Sequence, residues 1–342
     1  MIDSLSLPMV LALFVVAGLF IGVLGVRMTA LADRLGDCTG LGEAVVGGVL
    51  LGLATSLSGV VVSVTAALDG RASLAFANGV GGIAAQTAFL VLADLMFRRA
   101  NMEHAAAELA SIVQAALLSL MLAVALLAAT GPDIALWGVH PASVALVVIY
   151  GLGVRTTARV RQTPMWHPET TPETRTDTPD DEAGEGERLW LLLVQFAALA
   201  VMLGVAGWAI SKAGGRLSDM LGISETTVGA LMTAVTTSLP ELITTLAAVR
   251  RGALQLALGG IIGGNTFDVL FLTVSDVAYR DGSLYHAVGR GDLFWLTIGL
   301  AMTAVLLLGL VVRERRGIAG IGFESVTVLG LYGLAILVQA MQ

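Results

Sequence analysis

Two short polar segments in the second half of the chain carry the side chains best suited to binding chemistry. Residues 236–241 read Thr-Thr-Ser-Leu-Pro-Glu, and residues 263–268 read Gly-Gly-Asn-Thr-Phe-Asp. Both segments lie inside long apolar stretches, where a carboxylate is costly in lipid and is therefore a functional candidate by default. Their oxygen donors are hard ligands, which suit Na⁺ and Ca²⁺ far better than soft metals. The predicted cation ligands in this half are Glu241, Thr237, Ser238, Asn265 and Asp268.

The proline and the second carboxylate of these segments each lead to a more specific expectation. Pro240 lacks an N–H and displaces the carbonyl four residues earlier, so it predicts a break in its helix near mid-membrane. Carbonyls freed near Thr237 are tolerated at that depth only if they face protein, water or an ion. Asp268 either contacts an ion or a proton or makes a structural hydrogen bond. The glycine pair at 263–264 either lets two helices pack closely or contacts the ion.

The elements that hold these residues are predicted to be membrane-spanning helices. The 342 residues are 56% hydrophobic and only 13% charged, with a mean hydropathy of +0.86, whereas about a quarter of an ordinary soluble domain is charged. A helix needs roughly 20 apolar residues to cross the hydrocarbon layer. The sequence therefore predicts an all-α membrane protein with ten transmembrane helices, at about 5–26, 44–68, 72–97, 105–130, 134–153, 189–211, 222–249, 253–279, 292–312 and 319–339.

The remaining composition excludes several classes of protein. Cys38 is the only cysteine, which excludes an intramolecular disulfide and a cysteine-based metal cluster. The sequence has no P-loop, no Rossmann glycine fingerprint and no HExxH motif, so neither an enzyme nor a cofactor is expected. The net charge of −7 mostly reflects the acidic segment 169–187 and does not suggest nucleic-acid binding. The expected partners are membrane lipid and inorganic cations, with Na⁺, Ca²⁺ or H⁺ as transported ions.

Basic residues predict how the chain is oriented in the cell membrane. Between the predicted spans, 14 of the 19 basic residues fall on one side, which the positive-inside rule places in the cytoplasm. Both termini are then outside, and the Pro-, Thr- and acid-rich segment 154–188 is cytoplasmic. That segment is too polar to bury enough surface to order itself. It is interpreted as a solvated linker, or alternatively as a regulatory binding site, between five-helix halves at 1–153 and 189–342.

An internal repeat relates these two halves. Shifted by 182 residues, 43–94 aligns without a gap on 225–276, with 15 of 52 positions identical. Five crossings separate the copies, and because five is odd the copies run in opposite directions through the membrane. Inverted repeats of this kind are the architecture of secondary transporters. We therefore expect residues 1–153 to superpose on 189–342 about an axis in the membrane plane, with the second and seventh helices antiparallel and adjacent.

The second copy of the repeat resembles the second α-repeat of the calcium/cation antiporter superfamily, the sodium/calcium exchanger fold. That family's pattern is approximately G-T-S-L-P-E followed by G-N-x-x-G-S-N-I-F-N/D. This chain has Thr-Ser-Leu-Pro-Glu at 237–241 and Gly-Gly-Ile-Ile-Gly-Gly-Asn-Thr-Phe-Asp at 259–268. The resemblance implies that Glu241 and Asn265 are ion ligands and that Thr237 and Ser238 contribute further oxygens.

The first copy departs from the family pattern. Ser58 and Gly59 stand where proline and glutamate are expected, and Ile83 stands where an asparagine or aspartate is expected. Asn78 matches the earlier family asparagine. The ligands expected from this half are all neutral: Thr55, Ser56 and Asn78, with Ser58 and Gln86 nearby.

This asymmetry leaves three functions open. Ca²⁺ exchange is what the family resemblance implies. One carboxylate, or two if Asp268 contributes, neutralises a dehydrated divalent ion poorly, so the local chemistry favours Na⁺/H⁺ exchange. A degenerate family member that no longer transports and serves as an assembly partner is the third reading. The sequence also predicts that Ser58-Gly59 allows a kink and that Gly59→Glu raises Ca²⁺ affinity by restoring a second carboxylate.

Overall fold

The computed structural model describes residues 4–39, 52–97, 99–106, 108–164, 166, 169, 189–317 and 321–341. Apart from an isolated bridge between Leu136 and Val139, the regular structure in this part of the chain is helical. Its main helices are α1 (Leu7–Thr39), α2 (Gly52–Leu68), α3 (Ala72–Met96), α4 (Met102–Ala106), α5 (Leu109–Thr130), α6 (Pro141–Gln162), α7 (Leu189–Leu221), α8 (Glu225–Thr237), α9 (Leu239–Arg251), α10 (Leu254–Asp268), α11 (Leu270–Ala278), α12 (Leu284–Ala287), α13 (Arg290–Val312) and α14 (Phe323–Ala340).

The prediction of an all-α membrane protein is confirmed. Among the described residues, eight helices are long and apolar enough to cross a membrane, and the bent pair α8–α9 makes a ninth. The predicted second span is described only from residue 52 onward, where α2 is apolar but shorter than a full crossing. The helix α6 continues nine residues beyond the predicted end at 153, so the predicted linker begins as helix. Residues 170–188 of that linker lie outside the described part of the chain.

The predicted break at Pro240 is present. The helix α8 ends at Thr237, α9 begins at Leu239, and the two axes differ by 45°. Ser238 between them has φ −93° and ψ 6°, which lies outside the helical range. Proline is well tolerated in the first turn of α9, where its missing N–H has no partner to lose. The preceding helix also contains one π-helical stretch, Val228–Thr233, a feature that is frequent at functional sites.

The equivalent segment of the first half is not broken. Ser58 and Gly59 lie within α2, which is continuous over Gly52–Leu68. Both residues keep their backbone N–H, so the helical ladder has no missing donor here. Glycine permits unusual dihedrals but does not impose them, and α2 runs through Ser58-Gly59 without a break.

The helices that carry the two copies of the repeat form the centre of the molecule. In α3, 83% of the apolar stretch is buried within the protein, and in α10–α11 the buried share is 72%. The corresponding figures are 22% for α6 and 17% for α7, so these helices present most of their surface to the surroundings. Polar side chains on α3 and α10 are therefore shielded from lipid, which is where ionisable groups are tolerated in membrane proteins.

Two buried aspartates show how the halves are related. Asp94 accepts a hydrogen bond from the amide eight residues further on, at 2.8 Å, and from the hydroxyl of Ser325, also at 2.8 Å. Asp276 accepts from the amide eight residues further on, at 2.9 Å, and from the hydroxyl of Ser143, at 2.7 Å. Asp94 and Asp276 are 182 positions apart, and so are Ser143 and Ser325. Each half therefore bonds the other in the same way, as a two-fold relation between them requires.

Candidate cation site

A small polar cavity lies where the two halves meet. The centre of a water-sized sphere can occupy about 10 Å³ of this cavity, which is roughly the space that one water molecule needs. The residues that line it come from α2, α3, α10 and α11 and from both sides of the α8–α9 break: Ser56, Gly59, Asn78, Gly82, Gln86, Thr237, Ser238, Glu241, Asp268 and Phe271.

Glu241 lies in the first turn of α9, directly after the helix break, and only 5% of it is exposed. The hydroxyl of Thr55 hydrogen-bonds to its carboxylate. Its Oε2 atom is buried and has no hydrogen-bond partner among the described residues. A buried carboxylate oxygen without a partner is costly, and a bound cation or a proton would remove that cost.

Asp268 is the last residue of α10 and is 2% exposed. The hydroxyl of Ser56 donates to its Oδ1 at 2.5 Å, and the amide of Gln86 donates to its Oδ2 at 2.7 Å. Hydrogen bonds to an ionised acceptor are shorter and stronger than those between neutral groups. Asp268 thus makes structural hydrogen bonds and also lines the same cavity as Glu241.

The serines at the site mirror each other across the repeat. Ser56 and Ser238 are 182 positions apart, as are Gln86 and Asp268. Ser56 donates to Asp268, while Ser238 accepts from the amide of Gln86 at 3.2 Å. Each serine therefore contacts the polar residue of the opposite half, and the cavity is built from equivalent positions of both copies.

Among the other predicted ligands, Thr237 lines the cavity but Asn265 does not. The hydroxyl of Thr237 donates to the carbonyl of Ala234 at 3.2 Å, which leaves its lone pairs available. Asn265 lies one turn before Asp268 and donates its amide to the hydroxyl of Thr87 at 3.0 Å. Its Oδ1 atom is buried without a hydrogen-bond partner in the described part of the chain.

Asn78 lines the cavity, but its side chain is already engaged in hydrogen bonds. Its Nδ2 donates to the carbonyl of Gly59 at 3.1 Å and to the hydroxyl of Ser63 at 2.9 Å. Its Oδ1 accepts from the hydroxyl of Thr233 at 2.7 Å. The structure therefore shows Asn78 tying α3 to α2 and to the π-helical stretch of α8.

Besides two glycines, the cavity residues Gln86 and Phe271 were not among the predicted ligands. The repeat contained the signal for Gln86, because an offset of 182 places it at the position of Asp268. Phe271 is matched by Phe89 and resembles any other apolar core residue in the sequence. The described residues contain no group of three or more His, Cys, Asp or Glu side chains that could hold a metal ion, so neutral oxygens must complete any coordination here.

Helices of two homologous halves that enclose a buried site with carboxylates and a broken helix define a secondary transporter. The model of the sodium/calcium exchanger protein family matches residues 9–157 and 190–341, and the chain belongs to that family. Members of that family are multi-pass membrane transporters and not enzymes.

Similar proteins agree with this assignment over short segments of sequence. The sodium/calcium exchanger MaX1 of Methanosarcina acetivorans is 37% identical over 93 residues, which is 27% of this chain and 25% of that protein. The inner membrane protein YrbG of Escherichia coli is 45% identical over 56 residues, covering 16% of this chain and 17% of YrbG. These matches thus span a quarter or less of the length of either relative.

Solved structures share the fold over almost the whole chain. The H⁺/Ca²⁺ exchanger CAX aligns with a TM-score of 0.68 at 14% identity, covering 96% of this chain and 81% of CAX. The sodium-calcium exchanger NCX_Mj aligns with a TM-score of 0.63 at 18% identity, covering 97% of this chain and 99% of NCX_Mj. At these identities the likeness establishes the fold.

Proposed function

We propose that this protein is a secondary cation antiporter that binds its cargo between Glu241 and Asp268. The observation that carries the proposal is that both buried carboxylates line one cavity, and that one oxygen of Glu241 has no hydrogen-bond partner in the described part of the chain. The cavity lies at the meeting point of the two copies of the repeat. Rocking of one repeat against the other would open such a site to each side of the membrane in turn.

We propose Ca²⁺ as one cargo, with Na⁺ or H⁺ as the exchanged ion. Two carboxylates supply the countercharge of one divalent ion, and the hydroxyls of Ser56, Thr237 and Ser238 add neutral oxygens of the kind that Ca²⁺ accepts. The relatives and structural neighbours named as sodium/calcium and H⁺/Ca²⁺ exchangers support the same cargo. This departs from the charge argument from the sequence, which held that one carboxylate, or two with Asp268, neutralises a dehydrated divalent ion poorly.

A specific observation favours Na⁺/H⁺ exchange as the second candidate. Both oxygens of Asp268 already accept a hydrogen bond, from Ser56 and Gln86. If those bonds persist when the ion binds, they occupy oxygens of Asp268 without removing its charge. Glu241 is then the main carboxylate in direct contact with the ion, and a single direct carboxylate suits a monovalent ion better than a divalent one.

The test is exchange in proteoliposomes containing the purified full chain. Uptake of ⁴⁵Ca²⁺ and of ²²Na⁺ is measured with and without opposing Na⁺ and pH gradients. We expect gradient-driven uptake by the wild type and its loss in Glu241→Gln, which keeps the side-chain size and removes the charge. The matched control is Asp133→Asn, which neutralises a carboxylate that is 71% exposed.

The pattern of uptake separates the candidates. Uptake of ⁴⁵Ca²⁺ driven by a Na⁺ or pH gradient supports the first proposal, and uptake of ²²Na⁺ driven only by a pH gradient supports the second. A folded wild type that exchanges no cation under any gradient would refute both and favour the reading of a non-transporting assembly partner.

A further inference from the structure

The first half has no carboxylate at the position equivalent to Glu241. An offset of 182 residues places Gly59 there, on the face of α2 that lines the cavity. A Cβ atom at Gly59 would lie 2.6 Å from Cε2 of Phe271 and 2.9 Å from its Cζ. Carbon atoms that are not bonded do not approach so closely. The ring of Phe271 therefore occupies the space that a side chain at position 59 would need.

Phe271 has little freedom to leave this space. It is 4% exposed and belongs to the central apolar cluster of the protein. On its other side it packs against α3, where a Cβ atom at Gly79 would lie 3.3 Å from the Cβ of Phe271. Side chains packed in this way relax only partly when a neighbour changes.

The negative charge of the cavity consequently comes from the second half alone. Glu241 and Asp268 both come from the second half, whereas α2 presents a glycine covered by an aromatic ring at the position equivalent to Glu241. The space that remains is about 10 Å³ for the centre of a water-sized sphere. A cavity of this size holds roughly one water molecule. Among the described residues, neither a carboxylate nor the space for a second cation lies beside Gly59 of α2.

We propose that Phe271, packed on Gly59, removes the cation position of the first half, so that the transporter binds one cation at a time at Glu241 and Asp268. Phe271 is then a specificity-determining residue, because it limits the number of ions bound. The inference rests on the proposed function and adds the stoichiometry of its site. It also corrects the expectation from the sequence for Gly59→Glu, because the new side chain would collide with the ring.

The first test counts cations on the wild-type protein in detergent. Equilibrium dialysis with ⁴⁵Ca²⁺ measures the number bound per chain, and displacement by Na⁺ measures cooperativity. We expect one Ca²⁺ per chain and a Hill coefficient of about 1 for Na⁺. Two Ca²⁺ per chain, or steeply cooperative displacement by Na⁺, would overturn the inference and leave the proposed function intact. A wild type that binds neither ion would instead refute the proposed function.

The second test restores the missing position. Gly59→Glu alone should gain no bound cation and should lower the melting temperature. Gly59→Glu combined with Phe271→Ala should gain a second bound cation, seen as a Hill coefficient for displacement by Na⁺ above that of Phe271→Ala alone. The matched control replaces the repeat equivalent of the ring, combining Gly59→Glu with Phe89→Ala, and should show no gain. If the double variant does not fold, Gly59→Asp with Phe271→Leu makes the same comparison with a smaller change. A folded pair without a gain, or an equal gain in the Phe89 control, would contradict the role of Phe271.

Discussion

Gln86 donates its side-chain amide to Oδ2 of Asp268 at 2.7 Å, and the two residues are 182 positions apart. They are equivalent positions of the two halves, and a residue that touches its own equivalent must lie beside the axis that relates them. The axis therefore passes through the cavity. Because one partner is an amide and the other a carboxylate, the contact is an attraction, whereas two carboxylates at this distance would repel each other.

The two equivalent serines are predicted to contribute unequally to stability. Ser56 bonds a carboxylate at 2.5 Å, whereas Ser238 accepts from a neutral amide at 3.2 Å. Ser56→Ala should lower the free energy of unfolding by about 1.5–3 kcal/mol, and Ser238→Ala by about 0.5–1.5 kcal/mol. Thermal melts of the two variants in detergent at neutral pH test this. Equal losses would show that Asp268 does not act as a charged acceptor.

Gln86 is predicted to be required for cation binding although it carries no charge. Gln86→Leu keeps an approximate shape and removes the amide that donates to both Asp268 and Ser238. A hydrogen bond to a charged group contributes about 1.5–3 kcal/mol, which we expect to hold Asp268 in position for the ion. The loss of this positioning should lower Ca²⁺ affinity by at most roughly ten- to a hundredfold. Isothermal titration measures the change, with Gln162→Leu on the exposed end of α6 as control. An unchanged affinity would place Gln86 outside the binding machinery.

Topology is predicted from the distribution of basic residues. In a Cys38→Ser background, a cysteine introduced by Thr178→Cys should be protected from an impermeant thiol reagent in intact cells. A cysteine introduced by Asp281→Cys should react, because residue 281 is exposed and lies between α11 and α13 on the predicted outer side. Both cysteines should react in permeabilised cells. Labelling of position 178 alone in intact cells would invert the orientation.

The burial of Glu103 leads us to predict that the free energy of unfolding depends on pH. Glu103 lies in the short helix α4 between two spans and is 2% exposed. Burial, together with the nearby charges of Glu324 and Asp94, holds the pKa of Glu103 well above its ordinary value of 4.5. The folded chain thus holds this proton more tightly than the unfolded chain does. Its contribution to stability is present below about pH 4.5 and is lost as the pH rises toward the folded-state pKa.

The variant Glu103→Gln mimics the protonated form and should remove this loss. Its melting temperature should exceed that of the wild type at pH 8, and the difference should shrink at pH 5. Asp133→Asn, on an exposed carboxylate, should show no such trend. A melting temperature for Glu103→Gln below that of the wild type at pH 8 would show that the glutamate is stabilising as an anion.

The parts of the site that follow from backbone chemistry were predictable from the sequence. Pro240 lacks a donor whatever surrounds it, and the helix does break there. The first half shows the converse, because Ser58-Gly59 keeps its backbone donors and α2 is continuous there. Hydropathy was a poorer guide to helix ends, since α6 runs on to Gln162 through basic residues. A helix can continue beyond the apolar stretch that crosses the membrane.

The parts that depend on side-chain volume were not predictable. The sequence shows that Gly59 is the repeat equivalent of Glu241. It does not show that the ring of Phe271 occupies the space that a side chain at position 59 would need. Asn265 and Asp268 are three residues apart on one helix, yet only Asp268 lines the cavity. Which of two neighbouring polar residues faces the site depends on how helices are rotated against each other. A single sequence gives that rotation only coarsely.

The 45° break between α8 and α9 has an electrostatic consequence. The last turn of one helix and the first turn of the next meet beside the cavity, so the negative end of one helix macrodipole lies close to the positive end of another. Glu241 occupies the first turn of α9, where the positive end stabilises its negative charge. The C-terminal end of α8 carries partial negative charge, which attracts an approaching cation. The break thus supplies a fixed field that no single side chain carries, and substitution of the ligands one at a time would leave it in place.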